Sequence, residues 1–144
     1  VSACVGTTEV MGAWGASTGE AIHTSTFLGH PVGCAAGLAV LELVDEHGLL
    51  ERGAALGALM GETLTELAAR HPDVFGAVRG RGAMRGLEVV GGVERGLPLC
   101  RGLLKAGYIL LPAGTQGEAL SFTPPLTLTA RQWTAALATL EGLL

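Results

Sequence analysis

His23-Thr24-Ser25-Thr26-Phe27-Leu28-Gly29-His30-Pro31, continued by Val32-Gly33-Cys34-Ala35-Ala36-Gly37, is the stretch on which the reading of this chain turns. Three consecutive hydroxyl side chains stand just ahead of a glycine and of a proline suited to the first turn of a helix, where a missing N–H costs nothing. Hydroxyls and backbone N–H groups fixed on a loop can replace the hydration shell of a phosphate without a lysine beside it. The same residues also suit a loop that merely caps the helix after it. Taken alone, the stretch leaves both readings open.

Upstream, residues 1–5 are short and apolar and read as a strand, with Gly6-Thr7-Thr8 turning the chain into a helical turn at Glu9-Val10-Met11. Downstream, Val32, Ala35, Ala36, Leu38, Ala39, Leu41, Leu43 and Val44 predict a helix buried on most of its circumference and stopped by Gly48 at C′. Leu49, Leu56, Leu59, Met60, Leu64 and Leu67 then recur at helical spacings, bounded by Pro72. Gly53, Gly57 and Gly61 fall on one side of that helix. Each costs up to about 1 kcal/mol relative to alanine, so a close-packed neighbour is expected there. Glu51, Arg52, Glu62 and Glu66 exclude the apolar context of a membrane dimer motif.

Past Pro72 the period shortens. Strands are expected at residues 78–82 and 86–90 around a glycine-rich turn, a helix over 94–106 ending at Gly107, a strand at 108–111, a turn over 112–117 and a strand at 119–122. Pro124-Pro125 ends pairing. Thr129-Ala130-Arg131-Gln132 has the form of a capping box, and Trp133, Leu137, Leu140 and Leu144 give the last helix an apolar stripe. The order is that of a mixed α/β fold without repeats.

Composition narrows the function. With 144 residues, 49% hydrophobic and 15% charged, the chain is long enough for one ordinary globular domain. Its apolar excess predicts a surface covered by a partner. Nine basic residues scattered over a chain of net charge -4 supply no patch for nucleic acid. The longest apolar run, residues 32–41, is too short to span a bilayer. Cys4, Cys34 and Cys100 read as free thiols in a reducing, cytoplasmic setting. No cysteine or histidine pair has metal-ligand spacing, so no metal site is expected. Glu42, Asp45 and Glu46 form a solvated helix face. The first residues show neither a methionine nor a targeting segment and read as starting inside a domain.

Along essentially all 144 residues the chain resembles the class III pyridoxal-phosphate-dependent aminotransferases of the fold-type I group. The stretch from His23 to Pro31 resembles their H-x-[ST]-[ST]-[FY]-x-G-[NH]-P segment. Cys34-Ala35-Ala36, Val78-Arg79-Gly80-Arg81-Gly82 and Ser121-Phe122-Thr123-Pro124-Pro125-Leu126 resemble the next three landmarks in order. The resemblance implies the end of the large cofactor domain at residues 1–31, connecting helices at 32–71 and a small C-terminal α/β domain at 72–144. It further implies a homodimer with a shared cofactor site. Ser25 and Thr26 would lie at the interface, with Thr26 donating to the phosphate of the neighbouring subunit's pyridoxal 5′-phosphate. The implied reaction moves an amino group from an amine or ω-amino donor to an oxo-acid acceptor.

Two residues depart from that pattern. Transamination needs a lysine to hold the cofactor as a Schiff base and to carry the proton. The one lysine here, Lys105, reads as a solvated cation at a helix end. The resemblance places the Schiff-base lysine upstream of Val1, so the chain is expected to be a C-terminal fragment, inactive alone. Ser121 occupies the position where many relatives carry an arginine for the substrate carboxylate, and a serine cannot neutralise one. Either a carboxylate-free amine end lies there or another arginine takes over. Arg79 and Arg81 are possible substitutes, although arginines in a glycine-rich turn more often position backbone. His23 and His30 flank the hydroxyls and read as structural, and Trp133 as core. The competing class is a non-catalytic α/β oligomerisation or regulatory module, which the missing lysine and the apolar surface also suit.

Overall fold

The computed structural model describes residues 2–13, 15, 18–19 and 26–144. The chain divides into two compact units, Val1–His47 and Gly48–Leu144.

The first unit holds a five-residue helix α1 (Thr8–Gly12) and a long helix α2 (Pro31–Glu46). The Thr7 hydroxyl accepts from the Val10 N–H and caps α1. The expected strand is absent, since residues 2–7 carry no regular structure. A lone strand is stable only when a neighbour takes up its backbone donors and acceptors, and no strand lies among the described residues of this unit. α2 starts on Pro31, as its φ and missing N–H favour. Its expected burial is not found. No residue of α2 is buried, with Val32 71%, Leu38 63% and Leu41 66% exposed. The helix is apolar over most of its length up to the acidic Glu42, Asp45 and Glu46, and the described residues of this unit leave that apolar surface uncovered. Gly48, at φ 55°, takes the left-handed position after α2 and is also the N-cap of α3.

The second unit is a two-layer sandwich of helices on a four-stranded sheet. α3 (Leu49–Arg70) precedes the hairpin β1 (Phe75–Arg81) and β2 (Met84–Val89). α4 (Val93–Lys105), β3 (Leu111–Ala113), β4 (Ala119–Phe122) and α5 (Ala130–Glu141) follow. The strands are ordered β1-β2-β4-β3 and every neighbouring pair is antiparallel. Alternation sends Leu87, Val89, Leu120 and Phe122 to one face. There they meet Leu56, Met60, Leu64 and Leu67 of α3, Leu99, Cys100 and Leu103 of α4, and Trp133 and Leu140 of α5. The opposite face is open, with Met84 and Leu111 exposed on it. The helix-to-strand change foreseen at Pro72 falls inside this unit, because α3 is part of its core.

The glycine stripe of α3 has the close neighbours its cost demanded. A Cβ at Gly57 would lie within 2.6 Å of Gly82 Cα, in the β1–β2 turn. Gly53 faces Leu126, and Gly61 faces the Arg85 guanidinium. Arg85 donates to Gly57 O at 2.7 Å and to Gly80 O at 3.3 Å, tying helix to hairpin where backbones are closest.

The edge strand departs from expectation. It spans Leu111–Ala113 instead of residues 108–111 and takes in Pro112, which the sequence places in the turn. An outermost strand tolerates proline, since the missing N–H can face away from its one neighbour. The capping box at α5 forms in full: Gln132 N–H donates to Thr129 Oγ1 and Thr129 N–H to Gln132 Oε1. Leu144 lies past the end of α5 and is exposed.

Candidate functional site

Ser25, with His23 and Thr24, lies outside the described residues. Thr26 opens a turn over residues 26–29 that closes with His30 N–H donating to Phe27 O at 3.1 Å. Gly29 takes φ 66°, the left-handed conformation that lets the chain reverse into α2. His30 is the helix N-cap: its Nδ1 accepts from Gly33 N–H at 3.4 Å, and its carbonyl accepts from Cys34 N–H at 2.9 Å. The Phe27 ring meets its imidazole edge-on at 6.0 Å. With Nδ1 accepting, a neutral His30 carries its proton on Nε2. His30 thus serves the helix start, in line with its structural reading, and the Thr26 hydroxyl is exposed with no hydrogen-bond partner among the described residues.

In the second unit Ser121 is half-buried on β4, paired with Gly86 of β2 and Leu111 of β3. Alternation places its side chain on the open face, opposite Leu120 and Phe122. At the end of the sheet the same strand borders a mainly apolar groove of about 400 Å³, lined by Leu103, Tyr108, Ser121, Phe122, Trp133 and Leu140 among others. Lys105 is exposed at the last position of α4, where a cation complements the helix dipole. Arg79 and Arg81 are exposed on β1, with Arg79 Nη2 3.4 Å from Glu88 Oε2. Trp133 is core, its ring edge-to-face with Phe122 at 5.5 Å and its indole N–H donating to Thr63 Oγ1 at 2.9 Å. Burial pushes the Cys100 thiol up, away from the reactive thiolate, whereas Cys4 and Cys34 are exposed.

Arg85 was not singled out by sequence reasoning. Its signal was available: it shares the alternation of Leu87 and Val89, so a charge falls on the buried face, opposite the glycine stripe of α3. Its Nε is buried without a partner. Among the described residues, no helix is long and apolar enough to cross a membrane.

The family described as "Aminotransferase class-III" matches residues 1–144. The chain belongs to the class III aminotransferases. It is 36% identical over 122 residues to acetylornithine aminotransferase from Synechocystis, covering 83% of this chain and 28% of that enzyme. It is 37% identical over 122 residues to 5-aminovalerate aminotransferase from Pseudomonas aeruginosa, covering 80% and 28%. Among solved structures, lysine aminotransferase from M. tuberculosis superimposes with a TM-score of 0.68 at 34% identity, covering 73% of this chain and 23% of the other. A Bacillus anthracis aminotransferase gives 0.74 at 28% identity, covering 85% and 30%. The chain therefore spans little more than a quarter of the length of these curated relatives.

Proposed function

We propose that residues 1–144 are part of a cytoplasmic, homodimeric, pyridoxal-phosphate-dependent aminotransferase that moves an amino group from an amine or ω-amino donor to an oxo-acid. In this reading residues 1–31 end the large cofactor domain and 32–71 lead from it into a small C-terminal domain at 72–144, to whose core α3 contributes. The family match over the whole chain, joined to a coverage of 28% of relatives such as the Synechocystis enzyme, carries the proposal.

The donor set fits one end of the cofactor. Thr26 presents an exposed hydroxyl, unengaged among the described residues, in the turn that leads into α2, and such a group can donate to a phosphate oxygen. Ser25 is proposed beside it on the sequence pattern alone. The other end, the aldehyde, needs a buried amine, and Lys105 is solvated on α4. A lysine outside these residues is proposed to fill that role, so the 144-residue chain is inactive alone. Bound pyridoxal phosphate would supply the electron sink through which the amino group passes. Within this chain, Thr26 fixes the phosphate across the subunit interface, and the bare apolar surface of α2 is buried by the rest of the dimer. Ser121 can hydrogen-bond a substrate but cannot neutralise its carboxylate.

Borohydride reduction in the presence of pyridoxal phosphate tests the reading. The 144-residue chain is expected to show no stoichiometric trapped adduct, and the longer parent enzyme to be trapped at a lysine outside residues 1–144. Stoichiometric trapping at Lys105 overturns it.

A further inference from the structure

On the open face of the sheet, strand register brings distant residues into one row. Arg79 pairs with Gly86, Gly86 with Ser121, and Ser121 with Leu111. Directly paired residues share a face, so these four positions line up across β1, β2, β4 and β3. Gly86 contributes no side chain, and a Cβ built there would meet nothing within 4 Å. Arg79 and Ser121 therefore stand two strand spacings apart, about 10 Å between Cα atoms. Gly86 leaves the position between them without a side chain.

The other charged groups near Arg79 are Arg81, Glu88 and Glu118, whose carboxyl is held low chiefly by backbone N–H donors and also by the Arg79 charge. Glu88 meets Arg79 at 3.4 Å, with the Arg79 side chain 78% exposed. So long and solvated a contact contributes little and leaves the guanidinium available. Arg81 pairs with Met84, whose side chain occupies the neighbouring position that Gly86 leaves empty beside Arg79. Of the two arginines, Arg79 alone has a vacant position next to it in the row.

We infer that Arg79 holds a substrate carboxylate over Gly86, with Ser121 donating a hydroxyl hydrogen bond from the far side. The charge missing at position 121 is thus supplied from two strands away in the same row. A planar guanidinium can give a carboxylate two parallel N–H donors, which fixes its orientation as well as its charge. The exposed Leu111, beyond Ser121, borders the row with an apolar wall suited to the methylenes of a dicarboxylate. The substrate read here is the acidic oxo-acid, and the assignment rests on the aminotransferase reading above.

Glutarate, a dicarboxylate without an amino or oxo group, is the probe. Its binding to the parent enzyme is measured by calorimetry without turnover, beside the KM and kcat for a five-carbon oxo-diacid. Arg79→Gln is expected to weaken glutarate binding and raise KM about tenfold or more, the scale of a lost hydrogen bond to a charged group. Its kcat should change much less. Glu88→Gln should tighten binding, and Arg81→Gln should leave it within about twofold. Equal binding in Arg79→Gln and wild type, or equal losses in Arg79→Gln and Arg81→Gln, overturns the assignment. A parent protein that binds glutarate through Arg79 yet transaminates nothing refutes the proposed activity and upholds the site.

Discussion

Replacing the three stripe glycines of α3 by alanine, one at a time, separates packing from helix propensity, because each change gains the same propensity of about 1 kcal/mol. At Gly57 the new methyl would lie within 2.6 Å of Gly82 Cα, which is backbone in a tight two-residue turn and cannot rotate aside. Forcing α3 away costs about 1–3 kcal/mol as overpacking. It also stretches the 2.7 Å bond from Arg85 to Gly57 O, a hydrogen bond to a charged group worth about 1.5–3 kcal/mol. The net expectation is a loss of about 3 kcal/mol. At Gly53 the nearest atom is the Leu126 Cδ2 methyl at 3.0 Å, the end of a rotatable side chain, so Gly53→Ala keeps most of its propensity gain. At Gly61 the neighbour is the Arg85 guanidinium at 3.0 Å, held by its own hydrogen bonds, so gain and cost nearly cancel. Urea unfolding followed by helical circular dichroism should place Gly57→Ala about 2 M below Gly53→Ala, for a slope of 1–3 kcal/mol per molar. A Gly57→Ala protein within about 0.5 kcal/mol of Gly53→Ala would refute the claim that backbone contact dictates glycine there.

Ser121→Arg in the parent enzyme would add a second guanidinium to the row of Arg79 and Gly86, so it should raise the kcat/KM of amino-acid donors relative to amines, and an unchanged ratio would remove position 121 from carboxylate selection. Thr63→Val should cost about 1–3 kcal/mol, because it leaves the indole N–H of Trp133, a residue 3% exposed, without its acceptor; denaturation followed by tryptophan fluorescence reads it. The Glu141 carboxyl is held below the usual carboxylate range by hydrogen bonds first from Arg70 and then from His71. A lowered folded pKa contributes stability above the unfolded value of about 4.3 and loses it as pH falls through the folded value. Wild type should therefore exceed Glu141→Gln in stability at neutral pH, and the two should converge as pH drops below about 4.

The second unit was largely legible because its signals are local. The α3 periodicity, the glycine stripe, the hairpin glycines and the Thr129–Gln132 capping box each specify a short-range geometry that the packed core then accepts. The first unit was legible only in its punctuation. Pro31 and Gly48 mark the limits of α2 correctly, but burial is a property of neighbours, and hydropathy alone cannot say whether a neighbour belongs to the same chain. The strand expected at residues 1–5 failed for the same reason. Arg85 was missed because charge is ordinarily read as exposure, whereas strand alternation puts it on the buried face. The row through Arg79, Gly86 and Ser121 joins positions 42 apart in sequence, which only register can reveal.

Pro112 settles how far the sheet can extend. It sits at the centre of the three-residue edge strand β3, so an incoming strand on that side would find little length to pair with and one donor missing. Growth by strand addition, the route to both domain exchange and fibrils, is discouraged there. Whatever docks on this unit has the flat of the sheet or a helix surface as its landing ground, not the rim at β3.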